Sequence, residues 1–213
     1  MHPRITAIAA SPRHPQRASI KVDGKWVATL THALIDELNL TVGQTWDDRL
    51  GQRVAEAAAY DKALRGAMRR LDRRAMSTRQ LADKLKTLGY SQPVIDRVIG
   101  RITELGVLDD EAYGQALIRE VQRGKPAGPR LLRVKLVQKG LDRRLIDELV
   151  ASATDDDGVS KARQFAQTKL GTLMRYDVAT RKRRLWGLLA RRGFEREVID
   201  DVLSNLPGLA DEE

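Results

Sequence analysis

The sequence predicts a mainly α-helical protein: a tandem array of three three-helix repeats behind a small N-terminal cap of β-hairpin and strand. Three observations predict it. A short helical cadence occurs three times, as KLKTLGYSQPVID at Lys84–Asp96, KLVQKGLDRRLID at Lys135–Asp147 and LLARRGFEREVID at Leu188–Asp200. The glycine of each cadence, Gly89, Gly140 or Gly193, follows a Leu by four residues, and the three recur at intervals of 51 and 53. That is close to the period of helical repeat arrays. Strand signal, by contrast, is confined to the first fifty residues.

In chain order, Ile5–Ala10, Ser19–Leu30 and Leu40–Trp46 carry the strand signal, and the proline-containing Ser11–Arg17 reads as a loop. Asp23-Gly24 between alternating flanks marks a two-residue hairpin turn, because both turn positions need positive φ. A short helix over His32–Leu38, capped by Thr31, follows. Two or three strands are too few to stand alone, so the cap must lean on the helical part.

A long helix is expected over Asp48–Arg74, with Ala55, Ala59, Ala63, Leu64, Met68 and Leu71 at helical spacing. Ser77 and Gln80 form a capping box for a helix over Thr78–Leu88. Gly89 suits the left-handed closing position, Tyr90 can pack back, and Ser91 caps a third helix with Pro93 in its first turn. The second copy repeats the plan with Gly128-Pro129, Leu132, Leu136, Gly140, then Asp142 as cap before Leu145, Ile146 and Leu149. In the third copy stand Leu185, Leu189, Gly193, Phe194, Val198, Ile199 and Val202. Leading helices over Asp110–Val121 and Val159–Leu170 complete the copies, with Ala151–Gly158 as the clearest linker. The expected division is residues 1–47 for the cap, then 48–107, 108–154 and 155–213 for the repeats. A single unit of this kind buries little, so neighbours are expected to share a core.

The chain has no cysteine, which excludes disulfides, thiolate metal sites and a Cys nucleophile. Its 3 histidines all fall within the first 32 residues, which speaks against a zinc site. No phosphate-binding loop, dinucleotide fingerprint or metalloprotease motif occurs, so a non-enzyme without cofactor or metal is expected. Asp109-Asp110-Glu111 read as a helix N-terminus. Asp155–Asp157 read as a solvated linker, Asp211–Glu213 as a frayed end, and the recurring Asp96, Asp147 and Asp200 as structural. Neither a signal peptide nor a run of about 18 apolar residues is present, so a soluble, cytoplasmic protein with no membrane partner is expected.

Charge points to the partner class. Lys+Arg 38 against Asp+Glu 29 gives +9, a balance that favours polyanions, nucleic acid first. Arg65, Arg69 and Arg73 stand at i, i+4, i+8 on one helix face, flanked by Arg70 and Arg74. Arg123, Lys125, Arg130 and Arg133 surround the GKPAGPR loop. Arg181, Lys182, Arg183 and Arg184 fall in the expected first turn of the third copy's second helix, with Arg191 and Arg192 at its end. Cations at a helix start oppose the dipole, and a phosphate backbone would give them a reason to be there. Aromatics make up only 4% of the chain, too few for a base-stacking platform. The helix–Gly–helix spacing also fits a helix-turn-helix DNA-binding transcription regulator, which stands as the alternative reading.

With the copies laid out, the sequence resembles the RecX family, regulators of the RecA recombinase. The resemblance rests on the N-terminal ITAIAASPRHPQRASIKVDGKWVATLTHALIDELNLTVGQTW, on AYDKALRGAMRRLDRRAMSTRQLADKLKTLGY, on GVLDDEAYGQALIREV and on GPRLLRVKLVQKGL. The third copy, RRLWGLLARRGFEREVIDDVL, keeps the cadence behind a loosely matched leading helix. The resemblance implies an elongated, curved array that binds RecA and its filaments on single-stranded DNA within the filament groove. It implies inhibition of recombinase, ATPase and co-protease activities in DNA repair, homologous recombination and the SOS response. Contact with single-stranded and also double-stranded DNA, and a monomeric state, belong to the same expectation.

Overall fold

The computed structural model describes residues 2–12, 14–154 and 158–209. The acidic segments Asp155–Asp157 and Asp211–Glu213 lie outside the described residues. The chain packs as two compact units: residues 1–75 with 81–108, and residues 76–80 with 109–213.

In the first unit, β1 (Ile5–Ser11), β2 (His14–Val22) and β3 (Lys25–Thr31) form an antiparallel sheet in that order. Asp23 (φ 47°) and Gly24 (φ 76°) make the expected tight turn, with Val22 opposite Lys25. Two expectations fail here. β2 begins at His14, not after Arg17. Pro15 is tolerated because the β1–β2 register shifts between Ala10 and Ser11 and the β2–β3 pairing starts only at Arg17, so it escapes regular pairing on both sides. Leu40–Trp46 is no strand either. A turn through Gly43 (φ 89°) interrupts it, leaving one bridge from Thr45 to Arg4 and a bond from the Trp46 N–H to the Pro3 carbonyl at 2.8 Å.

Helix α1 (His32–Glu37) is capped by Thr31, whose Oγ1 accepts from the Leu34 N–H at 3.4 Å. Helix α2 (Asp48–Leu71) starts at the Asp47 cap and stops before Arg73 and Arg74. It buries Leu50, Val54, Ala57, Tyr60, Ala63 and Ala67, whereas Ala55 is exposed. In an alanine-rich stretch the phase is set by the few large side chains. Sheet, α1, α2 and the first repeat share one apolar cluster, as the small size of the sheet requires. Within it lies one buried charge: the Asp61 carboxylate accepts from the guanidinium of Arg17 on β2 and, at 3.2 Å, from Arg65. Asp61 is only 5% exposed, so these partners are what make its burial tolerable.

The three copies share one closing device. Helices α3 (Thr78–Thr87), α6 (Pro129–Gln138) and α9 (Val178–Arg191) each end in a glycine with φ between 77° and 83°. The residue after it donates back five positions: Tyr90 to Leu85, Leu141 to Leu136 and Phe194 to Leu189, at 3.3–3.4 Å. This paired 6→1 and 5→2 closure satisfies carbonyls that a helix end leaves open. Leu81/Leu85, Leu132/Leu136 and Leu185/Leu189 are all 0% exposed, and each full burial stabilises by about 1.5–3 kcal/mol. Third helices α4 (Gln92–Glu104), α7 (Arg143–Thr154) and α10 (Arg196–Ser204) cover them with Ile95, Ile146 and Ile199. The Ser77–Gln80 capping box forms reciprocally, at 3.2 and 3.3 Å. Asp142 accepts from the Arg144 N–H at 2.8 Å. Ser91 occupies its N-cap without a side-chain bond, leaving the start of α4 to Pro93.

In the second unit, leading helices α5 (Asp110–Gln122) and α8 (Gly158–Leu170) head two separate apolar clusters. The expectation of a shared core therefore holds for the sheet and first repeat but not for these two copies. Phe165 and Phe194 lie inside the last cluster, as expected.

Candidate functional site

What joins the copies in the second unit is polar and repeats itself. The first turn of α3 meets the closing turn of α6: the Ser77 hydroxyl donates to the Lys139 carbonyl, and a Cβ on Gly140 would come within 2.9 Å of the Arg79 side chain. The first turn of α6 meets the closing turn of α9 in the same way. Gly128 N–H donates to the Arg192 carbonyl at 2.8 Å, and Arg130 N–H to the Gly193 carbonyl at 3.0 Å. Each joint sets the positive end of one helix on the carbonyl end of another, a favourable dipole arrangement.

Counting back from the repeated leucines, the residues equivalent to Ser77–Gln80 and Gly128–Leu131 in the third copy are Arg181–Arg184. Here α9 has 14 residues against 10 in α3 and α6, because it starts one turn earlier at the Asp177 cap. Arg181–Arg184 thus occupy its second turn, which corrects their expected placement in the first and removes the dipole argument for them. The hydrogen bond from the Thr180 N–H, at 2.8 Å, and then the Thr180 hydroxyl hold the Asp177 carboxyl below its ordinary value of 3.8. A carboxyl depressed by folding contributes stability that is complete above that value and lost as pH falls through the lower, folded one. Asp177→Ala is therefore expected to lower urea stability at neutral pH and to match the parent protein well below pH 3.8, as read by circular dichroism.

The basic residues divide by what they touch. Arg181 donates to three carbonyls: Tyr176 at 2.7 Å, Met174 at 2.9 Å and Gly208 at 3.4 Å. Arg192 donates to Pro126 at 2.6 Å and Lys125 at 2.7 Å, and burial holds its guanidinium below the usual arginine range. Arg70 folds onto the Gly66 carbonyl at 2.8 Å. Arg133 faces Asp147 at 3.4 Å and Glu195 at 3.9 Å, while Arg65 is held by Asp61. These five have partners within the fold. Arg69 and, beyond the end of α2, Arg73 and Arg74 are exposed on the first unit. On the second unit Arg123, Lys125, Arg130, Arg183, Arg184 and Arg191 are exposed and Lys182 is half-buried.

Among the described residues, three of the fifteen basic residues come together on one cavity. Arg183, Arg184 and Arg191 border a groove of about 240 Å³ with Leu173, Gly187 and Leu188. The Arg184 guanidinium stands 4.1 Å over the Tyr176 ring, which orders it. Gly187 and Tyr176 escaped the sequence reading, although a glycine inside a helix between arginines is a visible signal. The recurring aspartates are structural in their contacts: Asp96 accepts from Gln92, Asp147 from Arg133, and Asp200 from Trp186 and Arg196. Among the described residues no group of three or more His, Asp or Glu is placed to hold a metal.

Family models for the first, second and third three-helix domains of RecX match residues 59–101, 109–150 and 155–203. The regulatory protein RecX of Pelodictyon phaeoclathratiforme is 36% identical over 153 residues, covering 71% of this chain and 94% of its own length. That of Clostridium tetani is 27% identical over 205 residues, covering 95% and 94%. A crystal structure of regulatory protein RecX shares the fold at a TM-score of 0.80 and 20% identity, over 95% of this chain and 100% of that one. A crystal structure of RecX from Lactobacillus salivarius does so at 0.64 and 20%, over 70% and 96%.

Proposed function

Because the chain belongs to the RecX family, we propose that it is a non-enzymatic regulator of RecA, binding RecA and its single-stranded-DNA filaments in the filament groove. There it inhibits the recombinase, ATPase and co-protease activities that serve repair, recombination and the SOS response. The observation that carries this reading is the match of three successive three-helix domains, in order, to the three of that family. The repeated joint supports it physically. Copies repeated along one chain offer a polymer successive contacts, and linked weak contacts multiply through effective concentration.

The division into residues 1–47, 48–107, 108–154 and 155–213 belongs to the same proposal, as do action as a monomer and a cytoplasmic location beside RecA. Among the described residues no helix is long and apolar enough to cross a membrane.

The helix-turn-helix regulator reading has less support, because the helices that would enter a major groove carry paired charge that is balanced on α4 and α7 and net acidic on α10. Arg97 on α4 is bound to Glu37 at 2.6 Å. Arg144 on α7 pairs with Glu148 at 3.1 Å, and Arg196 on α10 with Asp200 at 3.4 Å.

Sedimentation of preformed RecA filaments tests the reading. The protein is expected to pellet with filaments and to be released by raised salt. Failure to pellet at equimolar RecA, or retention by one duplex sequence far above random DNA, would contradict it. Within this scheme Arg183→Glu with Arg184→Glu is the informative charge reversal. Reversing Arg181 as well would also break its three carbonyl bonds.

A further inference from the structure

Gly187 is a glycine without a structural reason. It lies inside α9, where glycine costs about 1 kcal/mol relative to alanine. Its backbone needs no positive φ, and a Cβ there would meet only the Arg191 guanidinium, at an ordinary 3.5 Å. The equivalent positions in the other copies are Asp83 and Val134. Arg183, Gly187 and Arg191 follow one another at i, i+4, i+8 along one helix face, so the Cα atoms of the two arginines stand about 12 Å apart, and the Arg191 side chain lies over Gly187, from which it must swing to reach a ligand. Leu173 and Leu188 floor the groove, and Arg184 closes one side on the Tyr176 ring. Among the described residues the three arginines form no close ion pair, although the charge of Arg183 is felt at the Asp177 carboxylate.

We propose that this groove is a phosphate site for single-stranded nucleic acid: Arg183 and Arg191 clamp successive phosphates, and the missing side chain at Gly187 admits the sugar–phosphate chain to the helix surface. Guanidinium forks suit phosphate oxygens bidentately, and their fixed charge needs no protonation step. The array shows why the site belongs to the third copy. The first turns of α3 and α6, which hold Arg79 and Arg130 where α9 has Arg183, are occupied by the closing turns of α6 and α9, whereas α9 extends past that point. Sequence is not read here, since the groove offers arginines and leucines and no base-edge donor–acceptor pattern. The inference rests on the proposed action at RecA–DNA filaments and assigns the point where DNA is held.

The test is binding of a fluorescent oligothymidylate without RecA, across a salt series, for the full chain and two variants. The double variant Arg183→Gln/Arg191→Gln is expected to weaken binding several-fold and to reduce the salt slope by about 1.4, two single-strand phosphates. Gly187→Ala should raise the melting temperature, because alanine is the better helix former, while weakening oligonucleotide binding several-fold. A purely structural glycine cannot produce those opposite signs. The proposal is overturned if the parent chain binds no oligonucleotide, or if both variants bind with unchanged affinity and slope. It is also overturned if the double variant keeps oligonucleotide binding and loses binding to DNA-free RecA, which would make the groove a seat for an acidic protein surface. RecA inhibition by the parent chain is measured separately, so loss of the site and loss of the regulatory reading give different results.

Discussion

Gly193→Ala is expected to destabilise the second unit by about 3 kcal/mol or more, the sum of two independent penalties. Gly193 has φ 80°, a left-handed conformation that costs a residue with a Cβ about 1–2 kcal/mol. In addition, a Cβ there would collide with the backbone nitrogen and Cβ of Leu131, in the joint where Arg130 donates to the Gly193 carbonyl. Neither partner can give way, since one is main chain and the other the first turn of a helix. Gly89→Ala is the control: the same turn and φ 83°, with nothing within 4 Å of the added Cβ. It should cost only about 1–2 kcal/mol. Urea unfolding of both variants measures the difference, and equal losses would contradict the joint.

Asp61→Ala is the other large effect, expected to cost the first unit about 3–5 kcal/mol. The side chains of Arg17 and Asp61 are only 12% and 6% exposed, so removing the carboxylate leaves a buried guanidinium with the Thr29 carbonyl but no counter-charge. Arg65, half exposed, turns to water and loses little. Replacing both buried partners, Arg17→Met with Asp61→Leu, should recover most of the loss, because an apolar pair of similar volume leaves no stranded charge. Urea unfolding separates the cases, and a double variant no better than Asp61→Ala would show that the pair acts through packing instead.

Legibility in the sequence followed the range of the interactions. The three closing turns were readable because leucine, glycine and the following apolar residue are neighbours along the chain, and the capping box because its partners are three apart. The joints were not, since Ser77 and Lys139 are 62 residues apart and no local rule connects them. The Arg17–Asp61 pair spans 44 residues and was hidden for the same reason. Net charge pointed to a polyanion, yet composition cannot distinguish Arg183, open to a groove, from Arg181, spent on three carbonyls. Four consecutive cations suggest a start for α9 at Arg181, but the Asp177 cap, three residues before Thr180, sets the boundary one turn earlier. Pro15 looked like a loop until the register shift beside it removed the demand for its N–H.

The central claim is tested most directly by RecA ATP hydrolysis on preassembled single-stranded DNA. This protein would be titrated from far below RecA to equimolar, at two salt concentrations. The account expects inhibition well below equimolar protein, weaker at the higher salt and weaker for Arg183→Glu/Arg184→Glu than for the parent chain. Undiminished hydrolysis at equimolar protein, with RecA otherwise active, would contradict it.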